Sequence, residues 1–178
     1  MKKIIYSLVG LVAITGLIVG ANYFSVGAPL SDILKADSRN AGIEASTHYE
    51  FFILPSVLIF DLKQVSDTKS PADVFRVFLQ FASRVKDKNF ERVQLTHQGT
   101  VKFELKGDFF KKLGQEFGDQ NPIYTMRTFP ENVYRPDGTQ AFGSWTGGIL
   151  GVLGKQMNDF NEFHQEWYIT DMVSMSVK

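Results

Sequence analysis

Lys2 and Lys3 are followed by Ile4 to Ser31, twenty-eight residues without a charge. Nothing else in the chain constrains it as strongly, because about 20 apolar residues in a helix match the ~30 Å hydrocarbon core of a bilayer. The most apolar part, Ile4 to Ala21, reads IIYSLVGLVAITGLIVGA. Two expectations follow. Residues 1–24 are a membrane anchor that crosses through residues 4–24, or they are a signal segment removed after Ala21, where Val19, Gly20 and Ala21 supply the small-residue pattern of a cleavage site. The apolar length exceeds the roughly 7–15 residues of an ordinary signal peptide, which favours the anchor. With the lysines held on the cytoplasmic side, everything from about Asn22 crosses the membrane in either case. The expected location is the inner membrane with the C-terminal domain facing the periplasm or exterior, or the periplasm itself after cleavage. Gly16 and Gly20 form a GxxxG pair, a common feature of apolar helices.

The composition narrows the chemistry. The 178 residues contain no cysteine, which excludes thiol nucleophiles, disulfides and cysteine-ligated metal. Nineteen basic residues balance nineteen acidic ones, so the surplus of positive charge that a nucleic-acid binder needs is missing. Sixteen phenylalanines promise a large apolar core.

Residues 25–46 are small and polar without sustained periodicity and read as a tether, with one short helical turn at Leu30, Ile33 and Leu34. Residues 47–178 read as a single globular domain. His48 to Leu62 is nearly continuous apolar sequence interrupted by Pro55, which predicts extended structure bulged or begun at the proline. A second membrane contact there is the rival, discounted because Glu50, Pro55 and Asp61 leave no room for a span. Ser70-Pro71-Ala72-Asp73 combines an N-cap, a proline at the first helical position and an acid at the third, and starts an amphipathic helix over 71–88. Arg92–His97 and Thr100–Lys106 alternate with period two around Gln98-Gly99 and predict a β-hairpin with a solvated polar face. Asp108 is expected to cap a helix over 108–117, Asn121-Pro122 to start another turn, Glu131 to Gly143 to form a short hairpin, and residues 149–168 to form a long helix before a polar tail. The expected architecture is α+β: a small antiparallel sheet packed by the three helices 71–88, 108–117 and 149–168, preceded by the N-terminal transmembrane or signal helix.

The long final helix carries most of the candidate site. Ile149, Leu153, Met157, Phe160, Phe163 and Trp167 share an arc with Gln156 and His164, two polar groups where core is expected. His164 acts as base or ligand with Gln156 orienting a substrate, or it donates to a backbone carbonyl at the rim of the core; the second reading is the plainer one. Gly147, Gly151, Gly154 and Asn158 form a second stripe, and mid-helix glycine costs about 1 kcal/mol relative to alanine. Internal packing against the Phe-rich helices is the expected reason, and a docking face is the rival. Asp159, Glu162 and Glu166 read as a solvated face. The segment from Gln120 to Glu131 is a functional loop candidate in which Tyr124 and Arg127, with Trp145, line an anion or sugar pocket, although an Arg127 to Glu131 ion pair is the plainer expectation.

No phosphate-binding glycine loop, zincin spacing, calcium loop or nucleophile elbow is present. No metal and no cofactor are expected. The functional expectation is a membrane-anchored or exported envelope protein that acts as a non-catalytic binding module, with the membrane and an envelope protein as partners and no nucleic acid. The alternative is a small periplasmic hydrolase or ligand-binding enzyme using His164 and Arg127.

Overall fold

Residues 2–176 are described by a computed structural model; Met1 and residues 177–178, the ends of the expected anchor and domain, lie outside the described residues. The chain starts with a helix that does not stop where the apolar run stops. Helix α1 (Lys2–Asn22) passes through a π-helical turn, Tyr23–Gly27, straight into α2 (Ala28–Ala36). Pro29 has no N–H to offer the preceding turn, and the register loosens there: the Ala28 N–H bonds back to the Tyr23 carbonyl, five residues away. Val12–Ala36 contains a stretch long and apolar enough to cross a membrane.

This continuity corrects the expected tether over 25–46. Val26 and Leu30 are buried in the core, and Asn40 is buried with its amide donating to the Ile33 carbonyl and the Gln80 side chain. Apolar residues at 26, 30, 33 and 34 form one helical stripe, a pattern that the small and polar residues between them conceal.

Strands β1 (Ile43–Glu50), β2 (Leu54–Val65), β3 (Arg92–His97) and β4 (Thr100–Lys106) form one sheet in the order β1-β2-β3-β4. The fold is α+β with a small sheet packed by helices, as expected. Its outer pairs are antiparallel hairpins, whereas the central β2–β3 pair is parallel, so the sheet is mixed. The parallel pair follows from α3 (Pro71–Arg84), which carries the chain across between the two strands. Ser70 starts α3 as expected, accepting from the Asp73 N–H while the Asp73 carboxylate accepts from the Ser70 N–H.

Leu58, Phe60 and Leu62 of β2 lie beside Val93, Leu95 and His97 of β3 and face the helices. The polar face is less solvated than expected. Asp61 and Thr96 are almost out of water, with the Gly99 N–H and the Lys63 ammonium on the Asp61 carboxylate and the Gln94 amide on Glu104. Helix α4 (Gly107–Glu116) packs on α3, and a Cβ at Gly114 would overlap the Ala82 carbonyl. Its N-cap position is Lys106, so Asp108 stands inside the first turn instead of capping it. After α5 (Pro122–Thr128) and a 3-10 turn at Pro130–Asn132, Tyr134 exchanges two backbone bonds with Glu104 and extends the β4 edge, which reduces the expected short hairpin to single bridges. Helix α6 (Ile149–His164) continues through a π-helical turn, Gln165–Ile169, into α7 (Thr170–Ser176). The expected polar tail is therefore a helix, docked where Asp171 meets His97 and Lys102.

Candidate functional site

Between α3, α4 and α5 the surface opens into an apolar groove of about 430 Å³. Phe75 and Leu79 line it from α3, Leu113 of α4 and Phe117 just past its end from one side, and Met126 of α5 from the other. Asn121 caps α5 by accepting from the Ile123 N–H at 2.9 Å, and Pro122 fixes its first turn, so the α5 wall is set by local sequence.

Arg39, Arg76 and Glu116 bring charge to the same lining. The Arg39 guanidinium bonds the Asp37 carboxylate and holds it well below the usual carboxylate range. Asp73 is held down at about 2 by the Ser70 hydroxyl and backbone and then by Arg76. Arg76 also donates to the Arg39 carbonyl and to Asn40, while its Nε is buried without a partner. This groove was not singled out from sequence. The signal available was the width of the α3 apolar arc, where Phe75 and Leu79 extend it beyond what a helix packed on a sheet alone requires.

The residues singled out from sequence are scattered. Arg127 lies over the Tyr124 ring, 5.4 Å from its centroid, and makes no ion pair with Glu131 among the described residues. Glu131 is taken instead by the Gln156 amide, which donates to it at 2.7 Å. Trp145 joins neither Tyr124 nor Arg127. Its indole N–H donates to Asp159 at 2.6 Å and its ring carries the Lys155 ammonium. Asp159 is consequently buried and Glu166 is paired with Arg135, so the expected solvated acidic face holds only at Glu162.

Among the described residues, nothing beyond the chain neighbours and the helix's own backbone lies within 4 Å of where a Cβ would stand on Gly147, Gly151 or Gly154. This overturns the packing explanation for Gly151 and Gly154, and Gly147 is not part of a helical stripe at all, since it precedes α6 in a bend with φ of 134°. His164 is fully buried (0% exposed) between Phe75, Phe160, Phe163, Trp167 and Tyr168, with Nδ1 donating to the Phe160 carbonyl at 2.9 Å. Burial lowers its pKa to about 4, so the ring is neutral at physiological pH. That geometry matches the plainer of the two readings.

A second buried histidine, His97, bonds the Asp171 carboxylate at 2.9 Å, and Lys102 reaches the same oxygen at 2.7 Å. Together they hold Asp171 below its ordinary range, Lys102 contributing most. No group of acids and histidines among the described residues has the arrangement of a metal centre.

What fold and groove define is a small mixed-sheet α+β domain carried on an apolar N-terminal helix. No protein-family model, no curated protein and no solved structure matches the chain.

Proposed function

We propose that this chain is a single-pass membrane protein that holds a binding module on the non-cytoplasmic side of the inner membrane, where the module takes up a small amphiphile. The groove between α3, α4 and α5 carries the proposal: carbon-rich walls suit an apolar body, and the polar side chains that share the lining, Arg39, Gln80 and Gln120 among them, suit a polar head. Retention of the anchor is supported by the unbroken helix across Ala21 and by the burial of Val26 and Leu30, which make the following turns part of the core. A hydrolase built on His164 and Arg127 would need both at one surface; His164 is sealed among rings and Arg127 is stacked on Tyr124.

A benzophenone amino acid placed at Phe117, on the rim of the groove, tests this in intact cells. Irradiation is expected to give a discrete small-molecule adduct, identified by mass spectrometry, that disappears when Met126→Trp fills the groove. No adduct, or one indifferent to Met126→Trp, would overturn the proposal.

A further inference from the structure

The turn between β1 and β2 is the least water-compatible stretch of the folded domain. Phe51, Phe52, Ile53 and Leu54 follow one another there, and Phe51 and Ile53 are 73% and 60% exposed. Hairpin turns of this kind favour Asn and Gly because their central residues take positive φ. Here Phe51 and Phe52 adopt φ of 50° and 64°. Large apolar side chains at strained, exposed turn positions are unfavourable in water on two separate grounds.

The place of this turn in the fold supplies the reason. Asn22 is buried; its amide donates to the Phe52 carbonyl at 3.0 Å and its side-chain oxygen accepts from the Tyr49 N–H. One residue therefore clamps the hairpin tip to the helix at a fixed height. From Lys3 to Asn22 the helix rises about 28 Å, close to the hydrocarbon thickness it would cross. Immediately beyond, Val26 is buried in the domain, so the span must end at the level of Asn22. Tyr23 and Phe24, both exposed, stand at that height on the helix, the position where aromatic residues collect at membrane interfaces. Lys88 donates to Ser25 just above and places an ammonium where headgroup phosphates lie.

We infer that the tip from Phe51 to Leu54 is a second membrane contact, seated in the headgroup and outer acyl layer of the bilayer that the N-terminal helix crosses. The inference rests on the anchor reading above and adds to it a monotopic foot that fixes the domain's orientation. The earlier objection, that Glu50 and Pro55 leave no room for a span, does not apply to a four-residue interfacial insertion.

The absence of cysteine makes single-site labelling direct. Full-length protein in lipid nanodiscs, nitroxide-labelled in turn at Leu17→Cys, Phe51→Cys, Ile53→Cys and Asp67→Cys, is compared for collision with oxygen and with a water-soluble nickel chelate. Asp67 follows the far end of β2, about 36 Å from the tip along the strand. Labels at 17, 51 and 53 are expected to favour oxygen, with 51 and 53 shallower than 17, and the label at 67 to favour nickel. Labels at 51 and 53 that behave like 67 while 17 stays lipid-exposed overturn the inference and leave the anchor standing. A water-exposed label at 17 overturns both.

Discussion

His164 shows how a single side chain can be conspicuous in sequence and inert in structure. Its place among Met157, Phe160 and Phe163 on the α6 arc is legible from a helical period. The closure of Phe75 and Tyr168 over it is not, because that depends on how α3 and the π-helical turn after α6 meet. The same burial makes it a stability element with a definite sign. Its folded pKa, about 4, lies below the ~6.5 of an unfolded histidine, so the unfolded chain binds more protons between those values. The stabilisation is complete above about pH 6.5 and is lost as pH falls through about 4, amounting to about 3 kcal/mol. Urea melts at pH 4.5, 5.5 and 7 are expected to show stability rising with pH, and His164→Leu to remove most of that rise. A slope that persists in the variant would assign the dependence to other groups.

At the level of elements, glycines separate two roles that look identical in sequence. Gly151, in the first turn of α6, and Gly154, further along it, have open space around them, whereas Gly114 lies mid-helix against the backbone of α3 at Ala82. Gly151→Ala and Gly154→Ala are expected to raise stability by roughly 0.5–1 kcal/mol each through helix propensity. Gly114→Ala is expected to lower it by about 1–3 kcal/mol, since α4 must move away from α3. Thermal melts that show the opposite signs would contradict these packing assignments. Strands β3 and β4 and helix α3 were legible because their caps and periods are local. The parallel β2–β3 pairing was not: it depends on where α3 returns the chain, which no short window encodes. The same limit hid the extent of α2, legible only as one turn at Leu30, Ile33 and Leu34, because its burial depends on the surface that β1 and α3 supply.

For the molecule as a whole, the buried core begins just beyond Asn22, at Val26, and not near Ser46. A chain beginning at Asn22 is expected to unfold in one cooperative transition. One beginning at Ser46 lacks Val26, Leu30 and Ile43, each worth about 1.5–3 kcal/mol of burial, and is expected to aggregate or melt without cooperativity. Equal melting behaviour of the two would show that α2 is dispensable to the fold. The helix that runs unbroken from Lys2 to Ala36 also sets what the domain can meet. A flexible leash of the twenty-odd residues first read as a tether would let a domain sweep roughly 25 Å from its anchor. A rigid stem leaves almost no search volume. On the proposed membrane reading, the groove would sample a thin layer above the bilayer, and its encounters would be set by the surface density of an amphiphile in that layer more than by its concentration in bulk solution.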